Sequence, residues 1–390
     1  MKPTKSDSDL IVIRRHLHAH PELSNQEEKT AQFIEDKLKS FGITNIERLA
    51  DTGVVALVEG ELNGPTRAYR ADIDALPIAE QNDCDYASQN PGVMHACGHD
   101  VHTTVGLGVA QRIYERRAEL AGAVKFIFQP AEEASPEDKP LGAERMVCEG
   151  VLEDPKVESV FALHCMPSLE VGKIGFTGGP VWAGSELMEI EVEGKQAHGA
   201  YPHEGIDAVA VASQVVVSLQ QVVSRTIDAR QSCVVTVGRI EAGDSYNILA
   251  ERASLTGILR GLSEEAMQRA QERIEHIVTH VCKGFGAVGQ VRFTPGARPV
   301  INDQDLEAKA VEVIAQKLGP SVLSRHLPQL GAEDFSAFSR RVPGCYLFLG
   351  IRNEEKGITH ALHTPRFDVD ERCIGLGVEA MTEVLMGAAQ

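Results

Sequence analysis

The sequence predicts an α/β protein, a doubly wound sheet domain interrupted by a smaller α+β domain of ferredoxin-like order. Three observations carry that expectation. Buried strand patterns alternate with helical repeats up to His164, as in a doubly wound sheet. At Gly178-Gly179-Pro180 the character changes to strictly alternating strands, the mark of antiparallel strands with one exposed face. Beyond about residue 300 the α/β pattern returns. A chain of 390 residues is long enough for two domains, or for one large domain with an insertion.

The elements follow in order. Asp9 to His20 reads as a helix stopped by Pro21, and Asn25 as the cap of a second helix that ends at Gly42. Strands are expected over Gly53–Glu59 and Arg67–Ala71, the latter running into Asp72-Ile73-Asp74. An apolar repeat (Val101, Val105, Val109, Ile113) marks a helix that Asp100 can cap. Val124–Gln129 is a strand ending at Pro130-Ala131-Glu132-Glu133, Leu141–Gly150 a helix, and Ser159–Leu163 a buried strand ending in His164. The inserted part reads β-α-β-β-α-β. Its strands lie at Leu187–Glu193, Cys233–Ile240, Arg252–Leu259 and Gln290–Phe293, and its helices at Gly205–Val223 and from Ser263 to about Cys282. The last part offers helices at Asp303–Leu318, Glu333–Arg341 and from Asp370 to the end, with a strand at Cys345–Leu349. His360 and His363 lie between that strand and the final helix.

Composition bounds the function. A formal charge of −18 argues against nucleic acid, because phosphate binding needs a basic face. No apolar run is long enough to span a bilayer, and the N-terminus lacks the apolar core of a signal peptide. Eight scattered cysteines in a chain this long are not a disulfide framework. The expectation is a reduced, cytoplasmic protein.

The chemistry concentrates in Met94-His95-Ala96-Cys97-Gly98-His99-Asp100-Val101-His102-Thr103. Cys97 and His99 sit just outside a helix N-terminus, where the macrodipole favours a thiolate. Sheets of this kind carry their sites at the carboxyl ends of the strands. Asp72, Asp74, Glu132, Glu133 and His164 are expected there. Five side chains from separate segments, Cys97, His99, Glu133, His164 and His363, form a set that suits a pair of transition-metal ions. Five donors exceed what one tetrahedral zinc needs. Adjacent side chains on an extended backbone diverge, so one of Glu132 and Glu133 can bind metal while the other takes a proton from an activated water. Each residue alone has a bland reading: a buried cysteine, a satisfied core histidine, a solvated glutamate pair. Glu133 closing a six-residue apolar strand argues against the last. His95 and His102 stay outside the ligand set, and His16, His18 and His20 spread round their helix without an assigned chemistry.

At these residues the chain resembles the aminoacylase and carboxypeptidase group of dinuclear metallopeptidases. The similarity is greatest to the amidohydrolases of auxin–amino-acid conjugates, hippurate and N-acyl amino acids. The matching stretches are residues 15–22, 70–77, 94–103, 129–133, 198–203 and 362–367. The resemblance implies a catalytic domain (1–181 and 295–390) interrupted by a lid domain (182–294) that mediates dimerisation or a higher homo-oligomer. It implies two divalent ions (zinc, or manganese, cobalt or nickel) on Cys97, His99, Glu133, His164 and His363, with Cys97 bridging. Glu132 is then the general base, and Asp74 orients a ligand histidine. His198 from the partner subunit steadies the oxyanion, while Asn247 and Arg260 hold the substrate carboxylate. The substrate is a small N-acyl amino acid. The chain departs from the family at Asp72, where a ligand histidine is usual, and at Ala250, where a proline is frequent.

Three rivals follow from the same residues: a dipeptidase or carboxypeptidase of the same fold, a thiol hydrolase using Cys97, and a non-catalytic metal or ligand carrier. Glu132 argues against the carrier, which has no need of it. Loops such as Gly331–Phe335 are expected to wall the substrate pocket.

Overall fold

The computed structural model describes residues 5–136 and 139–387. The last three residues of the expected final helix lie outside the described residues. The strands of the two main sheets are β1 (Ile46–Leu49), β2 (Gly53–Glu59), β3 (Leu62–Asp72), β4 (Ala121–Gln129), β5 (Val157–Glu170), β6 (Ile174–Phe176), β7 (Gly184–Glu193), β8 (Cys233–Ala242), β9 (Arg252–Gly261), β10 (Val288–Pro295), β11 (Leu323–Arg325) and β12 (Gly344–Arg352). The helices used below are α1 (Lys5–Ala19), α2 (Glu28–Ser40), α3 (His99–Glu115), α4 (Gly142–Cys148), α5 (Ala208–Arg225), α6 (Glu264–Gly284), α7 (Gln304–Leu318), α8 (Ser336–Ser339) and α9 (Arg372–Gly387).

The chain forms two compact units. The first comprises Met1–Gly179, Ile301–Leu327 and Ala337–Gln390, the second Pro180–Val300 and Pro328–Ser336. The segment Pro328–Ser336, expected with the first part, groups with the second. The Ala183 N–H, shared between the carbonyls of Gln329 and Gly331, ties it there.

The first unit is a mixed α/β structure around an eight-stranded sheet of order β1-β2-β4-β3-β5-β12-β6-β11. Its centre, β4-β3-β5-β12, is parallel. The pairs β1–β2, β2–β4 and β6–β12 are antiparallel. The inner half of β3, from Thr66 to Asp72, is buried throughout, as a strand covered on both faces must be. The helix α3 is buried from His99 to Ala110 and packs against α1 and α9. β3 and β4 end side by side, with Asp72 paired to Gln129, so both deliver their following turns to one sheet edge.

Four local readings are corrected. Asn25 does not cap α2: its amide donates to Ala134 O, and Glu22 instead accepts from Thr30 N (2.8 Å). Asp100 does not cap α3; it lies in the first turn and pairs with Arg14 and His18. The strand through His164 does not stop there. It runs on to Glu170, because β12 keeps pairing with it, Phe348 opposite His164 and Arg352 opposite Glu170. The helix expected over Glu333–Arg341 shrinks to α8.

The second unit is a four-stranded antiparallel sheet, β8-β9-β7-β10, with α5 and α6. Its elements run β7-α5-β8-β9-α6-β10 along the chain. On β7, Met188, Ile190 and Val192 are buried and pack with Val211, Val215 and Leu219 of α5 and Ile274 and Val278 of α6. Asp207 caps α5 by accepting from Val209 N, and Ser263 caps α6 by accepting from Ala266 N.

Candidate metal centre

The five expected donors of the first unit meet. Cys97 Sγ lies 3.5 Å from His164 Nε2 and 3.3 Å from His363 Nε2. His363 Nε2 is 3.2 Å from Glu133 Oε1, and His99 Nε2 is 3.8 Å from the same oxygen. Three short segments and two longer elements converge to make this cluster. Gly98 precedes α3 with φ +88, and a Cβ there would lie 2.9 Å from Cys165, so glycine alone fits between the thiol and His99. His363 adopts φ +59 and donates its N–H to Ala96 O (2.8 Å). Such strain in a non-glycine residue persists where the surroundings over-determine it.

Each buried ring is fixed from behind. His99 Nδ1 donates to the Asp74 carbonyl (2.9 Å) and carboxylate (3.0 Å), which leaves Nε2 facing the cluster. His164 Nδ1 donates to Cys165 O (2.7 Å), which turns its Nε2 toward Cys97. This is how metal-binding histidines are oriented. The other Asp74 oxygen accepts from Glu133 N (3.0 Å), so one carboxylate sets both a ring and the glutamate turn.

The electrostatics call for a cation. His99 Nε2 is buried without a hydrogen-bond partner and sits 3.6 Å from Asp72 Oδ2. Burial works against a charged His99, but Asp72, Asp74 and Glu133 outweigh it and raise the ring to about 10. Cys97 is pushed well above its ordinary value by burial and by Glu133, Glu132 and Asp72. The expected help from the helix dipole is therefore outweighed, and a cation among these groups is what would ionise the thiol. Burial holds His164 well below its ordinary value, in the neutral form a ligand needs. A thiolate, imidazoles and a carboxylate match divalent transition metals.

Several partners of this site escaped the sequence reading. His102, left aside there, accepts Cys165 N at Nε2 (2.8 Å) and donates from Nδ1 to Asp72 (2.5 Å). Arg70 donates to Asp72 (2.8 Å) and to Gln129 (2.7 Å). Asp72 is thus committed to this network. Burial opposes its charge, yet His99, His102 and Arg70 hold it well below the usual carboxylate range. His18 also has a place: it bonds Asp100 (2.8 Å) and Glu80 (3.2 Å), while Arg14 pairs with Asp100 (2.8 Å). That buried network fixes the first turn of α3 to α1.

The other expected residues lie in the second unit. His198 pairs with Ile248 in a short two-stranded ribbon, and Gly199 N donates to Asn247 O, so His198 and Asn247 are neighbours. Both are exposed. His198 Nδ1 accepts Ala200 N (3.0 Å), which leaves Nε2–H as the outward donor. Arg260 lies on β9 between Val234 and Ser185, and its Nη1 is buried without a hydrogen-bond partner.

The profile described as peptidase family M20/M25/M40 matches residues 68–387. An N-acetylcysteine deacetylase of Bacillus subtilis (strain 168) is 38% identical over 96% of this chain and 95% of its own. An N-acyl-L-amino acid amidohydrolase of Geobacillus stearothermophilus is 44% identical over 76% of this chain and 78% of its own. Among solved structures, the Bacillus subtilis YxeP protein, described as a dinuclear metal binding peptidase from the M20 family, matches with TM-score 0.86 and 35% identity over 98% of each chain.

Proposed function

The chain belongs to peptidase family M20/M25/M40, and we propose that it is a metal-dependent amidohydrolase cleaving the amide bond of N-acyl amino acids. The observation that carries this reading is the meeting of Cys97, His99, Glu133, His164 and His363 in one cluster, in which Cys97, His99 and His164 are buried.

Those five residues would hold two divalent transition-metal ions, zinc or else manganese, cobalt or nickel. When bound, the ions supply Lewis acidity that polarises the scissile carbonyl and makes a water acidic near neutral pH. Asp74 keeps His99 in the tautomer that presents Nε2. Glu132, next to the donor Glu133 on the same turn, takes the proton of the attacking water and returns it to the leaving amine. His198 donates Nε2–H to the developing oxyanion, and we assign it to the site of a second copy of the chain. Asn247 and Arg260 hold the substrate carboxylate; an unpartnered guanidinium nitrogen supports that part. The second unit then acts as lid and dimerisation domain. No described helix is long and apolar enough to cross a membrane, and a cytoplasmic location fits this reading.

The test is hydrolysis of N-acetyl, N-benzoyl and indoleacetyl amino acids and of dipeptides. It is run on chelated protein and again after adding zinc, cobalt, nickel or manganese. Metal-restored turnover of N-acyl amino acids is expected, and preference for dipeptides would move the protein to the peptidases of the fold. No turnover by protein shown to carry two ions would overturn the proposal in favour of a carrier. Full turnover after complete chelation would favour the thiol hydrolase.

A further inference from the structure

The turn that aims Glu132 has an unusual backbone. Ala131 adopts φ +49, left-handed and disfavoured for alanine, one residue before the glutamate pair. Something must hold it there. The carboxylate of Glu27 does: Oε1 accepts Ala131 N (2.8 Å) and Oε2 accepts Thr52 Oγ1 (2.7 Å). Two neighbours add further points. Asn25 Nδ2 donates to Ala134 O (3.2 Å), with its Oδ1 held by Arg145 (2.8 Å). Ser24 Oγ donates to Asp74 Oδ2 (2.7 Å), the oxygen that also accepts Glu133 N.

Glu27 does not serve the helix it precedes as a side-chain cap. It occupies the N-cap position of α2 yet makes no side-chain cap, because Glu22 bonds both the Thr30 N–H and hydroxyl. It is fully buried, and burial together with the charge of Asp74 pushes its carboxyl up. A buried carboxylate is costly to keep, and this one is spent on a backbone N–H of the functional turn.

We infer that Glu27 is a positioning residue for Glu132, and that Ser24, Asn25 and Glu27 together clasp the turn carrying the glutamate pair. Glu27 touches no substrate. It acts by fixing Ala131 in the conformation that sends Glu132 and Glu133 in different directions, so that one can serve as base and the other as ligand. The inference rests on the amidohydrolase reading. A small displacement of a reacting group is enough to cost about a hundredfold in rate.

The test compares Glu27→Gln, Glu27→Asp and Glu27→Ala with Glu132→Gln, all in the full chain loaded to equal metal content, on the fastest substrate of the panel above. Gln keeps an acceptor for Ala131 N–H at the right reach and an amide donor for Thr52; Asp keeps the charge but falls one methylene short. The expected order of kcat is wild type close to Gln, then Asp, then Ala, the last lowered by a factor on the order of 10–100 with KM little changed. Bound metal, measured by elemental analysis, stays at the wild-type stoichiometry. An Asp variant as fast as wild type beside a slow Gln variant would overturn the inference, since charge and not geometry would then matter. So would unchanged kcat in Glu27→Ala. Should the Ala variant fail to fold, the Gln-over-Asp order decides alone. Full activity in Glu132→Gln would instead sink the amidohydrolase reading itself, whatever Glu27 does.

Discussion

The two units hold their candidate functional residues in opposite ways. In the first, His99 and His164 are each buried and tied through Nδ1, and Glu133 is tied through its backbone N–H. In the second, His198 and Asn247 lie exposed at a short two-stranded ribbon, and the His198 ring is held by a backbone N–H of its own turn. A site for ions of fixed preference gains from donors locked before binding, because the ordering cost is met on folding. Groups that meet a substrate can stay exposed until it arrives. The difference teaches that metal binding in this protein should be most sensitive at the sheet edge of the first unit, while changes in the second should touch substrate and rate and leave the ions bound.

The largest effect is expected from Glu132→Gln, which keeps its shape and loses its basicity. Its kcat should fall on the order of a thousandfold while both ions stay bound, as steady-state kinetics beside elemental analysis would show. His198→Ala comes next, with about a hundredfold loss in kcat and unchanged metal content. Mixing the Glu132→Gln and His198→Ala chains sharpens the contrast. If His198 serves a second copy, mixed dimers contain one intact site and activity returns to roughly a quarter of wild type. If it serves its own chain, mixing restores nothing. Asp74→Asn, which disturbs the far side of His99 and the backbone of Glu133, should weaken metal affinity by about 10–100-fold, measured by competition with a chelating dye.

The smallest effect on chemistry is expected at His95, although it bears on acid stability. His95 is buried with neither ring nitrogen hydrogen-bonded, and burial lowers its ring to about 4 from the ordinary 6.5. The fold therefore favours the neutral ring. That contribution is complete above pH 6.5 and is lost as pH falls toward 4, at most about 3 kcal/mol. Urea unfolding of His95→Leu at pH 7 and pH 4.5 should show a smaller acid loss than wild type, at little cost at pH 7. An identical acid loss in both would place the sensitivity elsewhere.

What could be read in the sequence follows the same division. The clustered side chains were legible because residue type and strand position speak for themselves: a cysteine one glycine from a histidine, and a glutamate pair closing an apolar strand. The alternation of β7 gave its buried face directly. The supporting partners were not legible, because they are pairings between distant segments. Arg14 and Asp100 are 86 positions apart, and Glu27 and Ala131 are 104 apart. The two misread caps share that cause. Asn25 and Asp100 have the chemistry of caps, but Ala134 and Arg14 are the partners they find. His164 misled for a related reason, since a strand's end depends on its neighbour and β12 carries β5 six residues further.

The central claim is that the edge of the first unit's sheet is a two-ion hydrolytic site. Titrating chelated protein with manganese or zinc, while following turnover of an N-acetyl amino acid and counting bound ions by native mass spectrometry, tests it most directly. The account predicts that activity rises to a plateau at two ions per chain, and that Cys97→Ala shifts or abolishes that plateau. Turnover already maximal in the chelated protein, or a Cys97→Ala chain that binds two ions and hydrolyses like wild type, would contradict it.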